Sequence, residues 1–174
     1  VKTTGKNVEM HAADRPLGTI PAFVRQVPMA KAMHPHTLVA YAMNGEDIPA
    51  VHGFPLRAIV PGWEGAYSLK WLNALNVLAG DSSSFWVATG YRYPNRRIAP
   101  GAAVDAKDME PLTGLVVKSL ITTPANGASF APGKISIGGF AWAGETDITR
   151  VDISIDHGAT WTPARLTGEQ AKYT

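Results

Sequence analysis

Ser68 and Lys70 stand two positions apart, seven and nine residues after Pro61 of the Pro61-Gly62 pair. A loop opened by Pro-Gly offers free backbone amides, and a hydroxyl and an ammonium beside it could hold a phosphate or pyrophosphate. If the chain is extended there, the two side chains share one face. The same pair also fits the surface of an edge strand, and the residues alone leave both readings open. Ser154-Ile155-Asp156-His157-Gly158-Ala159-Thr160-Trp161 matches the pattern Ser-x-Asp-x-Gly-x-Thr-Trp. There the Asp156 carboxylate accepts from turn amides, Gly158 supplies a positive φ and Trp161 packs beneath. A glycan-binding role would need repeated copies, and the single copy here reads as a hairpin-stabilising device. His34-Pro35-His36 has two imidazoles but no acid nearby. Asp105, Asp108 and Glu110 lack the Gly and ligand spacing of a calcium loop and read as a solvated turn. Gly-rich phosphate loops and the nucleophile elbow do not occur.

These groups must be positioned by short, mostly extended elements. Residues 1–37, broken by Pro16, Gly18 and Pro21, predict irregular structure with one short helix near Met29–Met33. Leu38–Met43 is an apolar run closed by the turn pair Asn44-Gly45, and Pro55–Val60 is a second strand. The spacing of Ser68–Leu78 suits a short helix as well as a strand, and a strand is the reading adopted. His52-Gly53 allows a close backbone approach; His52 itself is expected to be a buried, hydrogen-bonded core residue. From Gly90 to Thr113 the prolines predict a linker or a long surface connection. Thereafter Leu115–Thr122, Lys134–Trp142, Ile148–Ile155 and Thr160–Leu166 alternate with period two between turn clusters. That spacing predicts an antiparallel sandwich of immunoglobulin type with fewer strands than the usual ~7.

Composition narrows the function classes. Of 174 residues, 45% are hydrophobic and 17% charged, which argues against disorder. Net charge is +2 with scattered basic residues, so no nucleic-acid partner is expected. The chain has no cysteine, so disulfides, iron–sulfur ligation and zinc ribbons are out. No apolar stretch approaches the ~18 residues of a membrane helix, and no membrane association or signal peptide is expected.

The run LVAYAMNGEDIPAVHGFPLRAIVPGWEGAYSLKWL resembles the signature of the sulfite oxidase family of molybdopterin oxidoreductases. The tail, LVVKSLITTPANG followed by GFAWAG and ITRVDISIDHGATWTPARL, is similar to the first half of that family's dimerisation domain. SSSFW, GYRYP and SLITTP look closest to the bacterial sulfite dehydrogenases. The resemblance implies an α+β chain: residues 1–112 as the later part of a molybdopterin-binding domain with its linker, and 113–174 as the start of an immunoglobulin-like β-sandwich. It implies a molybdenum–molybdopterin cofactor contacted near its phosphate end by Ser68 and Lys70. His52, Gly53 and Arg57 match the family string in a structural role. It places Phe23 where the family carries an active-site tyrosine, so a hydrogen-bond donor is missing there. The family binds molybdenum through a cysteine thiolate; this sequence offers no metal ligand, so a fragment of a longer protein is expected. The implied activity is oxidation of sulfite to sulfate, with electrons passed to a cytochrome c or haem subunit, in a periplasmic homodimer associated through the sandwich. Alternatives are a related molybdoenzyme acting on another oxyanion or sulfur compound, such as nitrate or a protein-linked sulfane, and a non-catalytic dimerisation or interaction module.

Overall fold

The computed structural model describes residues 4–168, which are mostly β with a few single-turn helices. The chain divides into two compact units, Val1–Thr113 and Gly114–Thr174.

The first unit is built on a three-stranded antiparallel sheet in the order β2-β1-β7, formed by β1 (Asn7–Ala12), β2 (Val24–Pro28) and β7 (Leu72–Leu78). Along β1 the period-two rule separates two faces. Val8, Met10 and Ala12 join the core, while Asn7, Glu9 and His11 carry hydrogen bonds to Asp81, Ser82 and Asn76. Residues 1–37 were expected to be irregular, and the two strands correct that expectation. The prolines and Gly18 punctuate only the connection between β1 and β2, and the alternation on either side is real. The expected short helix is present as α1 (Met29–Ala32), directly after Pro28.

The segment Leu38–Met43 divides at Tyr41 into β3 (Leu38–Ala40) and β4 (Ala42–Met43). β4 pairs with β5 (Glu46–Asp47) across Asn44-Gly45, both at positive φ (55° and 84°), as a tight two-residue hairpin requires. β3 pairs with β6 (Arg57–Ile59). Met10, Val27, Val60, Tyr67, Leu69 and Leu72 pack together as the core, with Phe23 and Trp63 against it.

Two further expectations need correction. Ser68 and Lys70 do not lie on a strand. A 3-10 turn at Gly65–Tyr67 precedes them, Trp71 takes a φ of 52°, and β7 starts only at Leu72. The stretch 90–113 is not a free linker. β8 (Arg92–Pro94) and β9 (Met109–Pro111) pair antiparallel, and Thr113 O accepts from Glu64 N at 2.7 Å. Pro94 and Pro111 are tolerated because each sits at the end of its strand. Between β7 and β8 lies α2 (Phe85–Ala88).

In the second unit β10 (Lys118–Thr123) pairs with β11 (Gly138–Trp142), and β12 (Asp152–Ile153) with β13 (Thr162–Pro163), all antiparallel. All four expected runs overlap a strand, each shorter than its period-two pattern.

Candidate functional site

The turn Ala50–His52 and the segment around Lys70 are stapled backbone to backbone. Gly53 has a φ of 112°, and a Cβ there would lie 2.9 Å from Lys70 Cα, so only glycine admits this approach. Trp71, in its strained left-handed conformation, donates its indole N–H to Ala50 O at 2.8 Å. Lys70 Nζ donates to Val51 O at 3.1 Å and lies 4.4 Å from the centre of the Trp71 ring. The close approach expected at His52-Gly53 is therefore present. His52, however, is exposed rather than buried; its carbonyl, not its ring, does structural work by accepting from Arg57 Nη1 at 3.0 Å.

Ser68 faces the neighbouring backbone. Its Oγ accepts from Val60 N at 3.1 Å, which leaves its hydroxyl proton to donate elsewhere. Arg57 Nη2 also donates to Ser68 O, and the backbones of 56–58 and 69–72 exchange further hydrogen bonds. Phe23 packs edge-on against Trp86 and Tyr91, with ring centres 5.3 and 6.0 Å away.

Phe23, Ser68 and Lys70, from two separate parts of the chain, line one open cleft of about 400 Å³. Arg15 joins them with a second cationic group, Asp14 with a carboxylate, and Trp71 and Trp86 with aromatic surface. With two cationic groups against the one Asp14 carboxylate, and a serine hydroxyl among aromatic rings, the cleft suits a flat ligand with an anionic end. Sequence reasoning missed Arg15 and Trp86. Arg15 lies in a polar loop with no pattern, and Trp86 stands in the sequence only as part of the SSSFW string, with no spacing that ties it to Ser68 or Lys70.

Other candidates stay apart from this cleft. The rings of His34 and His36 are 5.5 Å apart. Asp108 pairs with Arg96 at 3.3 Å and Asp105 with Lys107 at 3.5 Å. Among the described residues no group of three or more His, Cys, Asp or Glu is arranged to hold a metal. The Asp156 turn closes as expected. Thr160 N and Ser154 Oγ donate to Asp156 Oδ1 at 2.9 and 2.8 Å, Thr160 Oγ1 donates to Oδ2 at 2.6 Å, and Gly158 N donates to Ser154 Oγ at 2.7 Å. The Thr160 hydroxyl first, then the Thr160 amide and Ser154, lower the Asp156 carboxyl to about 2. This turn joins β12 to β13 and points to no ligand.

Residues 1–86 match the oxidoreductase molybdopterin binding domain, and residues 110–174 match the Mo-co oxidoreductase dimerisation domain. The chain belongs to the sulfite oxidase family of molybdopterin oxidoreductases. Mitochondrial sulfite oxidase of Macaca fascicularis is 38% identical over 163 residues, which are 90% of this chain and 29% of that protein. Sulfite oxidase of Gallus gallus is 36% identical over 170 residues, 96% of this chain and 37% of that protein. Among solved structures, the sulfane dehydrogenase SoxCD from Paracoccus pantotrophus matches with a TM-score of 0.73 at 33% identity, covering 98% of this chain and 41% of that one. The chain thus spans roughly three tenths of the length of the mammalian relative.

For a sulfite oxidase family member the donor set decides which part of the cofactor these residues suit. The cleft fits the organic, phosphate-bearing part, through Lys70, Arg15 and Ser68. It offers no thiolate, because the sequence has no cysteine, so no metal bond is assigned to these residues.

Proposed function

We propose that this chain supplies one wall of the molybdenum-cofactor site of a sulfite-oxidising oxidoreductase. The observation that carries the reading is the convergence of Phe23, Ser68 and Lys70 on one cleft, in a chain whose relatives include sulfite oxidases. Lys70, with Arg15 beside it, neutralises the phosphate end of the pterin, and the Ser68 hydroxyl donates to it. Phe23 and Trp86 give the cleft an apolar wall that limits water. When bound, the cofactor supplies the two-electron oxidation by which sulfite and water become sulfate, two protons and two electrons. A cytochrome c or haem subunit receives the electrons. Phe23 brings no hydrogen-bond donor to the substrate, so donors from elsewhere hold the sulfite oxygens.

Residues 1–112 act in this reading as the later part of the cofactor domain. Residues 113–174 begin an immunoglobulin-like sandwich through which two copies associate in the periplasm. The dimerisation-domain match and the exposed apolar residues of β10 and β11 support association. A second substrate reading is a sulfane-type sulfur compound. It is favoured by the likeness to a sulfane dehydrogenase over 98% of the chain.

The test uses the full-length protein with Ser68→Ala and Lys70→Ala, measuring molybdenum per chain by plasma mass spectrometry and sulfite-dependent cytochrome c reduction. Lys70→Ala is expected to lower cofactor occupancy at least tenfold, and Ser68→Ala severalfold. Full occupancy in both variants would remove these residues from the cofactor site. Turnover of a sulfane but not of sulfite would select the second substrate.

A further inference from the structure

Outside the cleft, lining a smaller cavity with Tyr67, Trp86 and Tyr91, is a cation that neither the family match nor the site reading uses. Arg25 is 1% exposed, and among the described residues it has no carboxylate within ion-pair distance. Nη1 donates to Trp86 O at 2.6 Å and Nη2 to Leu112 O at 3.4 Å. Its Cζ lies over the Tyr67 ring at 4.0 Å and over the Tyr91 ring at 4.6 Å, while Nε has no partner. A guanidinium buried against carbonyls and π faces, with the Glu64 charge acting on it only from beyond ion-pair distance, is costly, so its position calls for a structural reason.

Of its four partners, Tyr67 and Trp86 belong to segments that line the cleft, and Tyr91 reaches it through Phe23. Tyr67 immediately precedes Ser68, at the exit of the 3-10 turn. Trp86 lines the cleft itself. Tyr91 packs on Phe23, which lies two residues before Arg25 and directly precedes β2. We propose that Arg25 is a positioning residue that fixes the distance between the Phe23–Trp86 wall and the Ser68–Lys70 wall of the cleft. It touches no ligand and acts through Tyr67, Tyr91 and the Trp86 carbonyl. Its planar fork can stack on a ring and donate in plane to two carbonyls at once, which a lysine ammonium cannot do. Burial lowers the guanidinium from its ordinary value and raises the Tyr67 phenol above its own, with each group opposing the other's shift.

The proposal rests on the cleft being the anion site, and two measurements keep the failures apart. Arg25→Lys and Arg25→Met are made in the full-length protein, with Val27→Ala as a control of equal burial (1% exposed) on the same strand. The first measurement is binding of inorganic phosphate to cofactor-free protein, followed by tryptophan fluorescence, since Trp71 and Trp86 line the cleft. Both Arg25 variants are expected to bind phosphate at least tenfold more weakly than wild type, and the lysine fails to rescue. Val27→Ala lowers the melting temperature comparably and binds like wild type. The second measurement is the crystal structure of Arg25→Lys, in which the gap between Phe23 and Ser68 is expected to change by about 1 Å or more. An unchanged gap overturns the positioning role whatever the phosphate result. Loss of phosphate binding in Val27→Ala to the same degree also overturns it, because any loss of core packing would then suffice. If wild type binds no phosphate, the cofactor reading of the cleft fails, and the crystal structure alone decides for Arg25.

Discussion

Every buried hydrophobic side chain among the described residues, from Met10 to Leu72, lies in the first unit, whereas the second leaves Leu120, Ile121 and Phe140 more than half exposed on paired strands. Both stretches carry alternation in their sequence. In β1 the alternation separates a core face from a polar face within the same unit. In β10 and β11 it leaves apolar residues uncovered within the unit described. A two-stranded ribbon is marginal in water by itself. The first unit therefore owns its stability, and the second depends on what covers it.

The comparison can be broken most directly by truncation. Met10→Ala in the first unit is expected to cost about 2–5 kcal/mol in denaturant unfolding. Leu120→Ala in the second should change stability by no more than about 0.5 kcal/mol at protein concentrations low enough to separate the copies. Equal losses would mean that the β10–β11 sheet is covered in solution, and a dependence of the Leu120→Ala loss on protein concentration would identify the cover as a second copy.

Two glycines sharpen the contrast. Gly53 and Gly158 both have positive φ, at 112° and 89°. Gly158→Ala meets only a Trp161 ring atom at 3.6 Å, so the expected cost is the left-handed backbone penalty of about 1–2 kcal/mol. Gly53→Ala adds a clash with the Lys70 backbone and should cost more, while also weakening phosphate binding at the cleft. Thermal melts of the two variants, paired with the phosphate titration, check this. A Gly158→Ala loss larger than that of Gly53→Ala would contradict the close-approach argument.

The smallest effect concerns pH. The folded Asp156 carboxyl sits at about 2, below its ordinary 3.8. The turn is therefore fully supported above about pH 4, and its support is lost as the pH falls through about 2. An NMR titration of the Thr160 amide should show a midpoint near 2, and Thr160→Val should move it upward. The core of the first unit should show no transition tied to that midpoint.

What the sequence revealed follows from how local each feature is. The Asp156 turn was fully legible, because its hydrogen bonds span at most four residues. The Asn44-Gly45 hairpin was legible for the same reason, and the glycine at 53 announced a close approach without naming Lys70 as its neighbour. β1 and β2 were missed because Pro16, Gly18 and Pro21 dominated a window in which only the connection is irregular. The hairpin of β8 and β9 was hidden by prolines that sit harmlessly at strand ends. Arg25 gave no signal at all. Between Val24 and Gln26 it looks like a solvated surface residue, and its carbonyl partners are 61 and 87 positions away.

Lys70 has a consequence beyond its charge. A free lysine side chain carries about 2 kcal/mol of rotamer entropy that a ligand must remove when it orders the ammonium. Here the Val51 carbonyl and the Trp71 ring already restrain it. An arriving anion meets a preorganised cation, so the loss of side-chain freedom belongs to folding and not to binding.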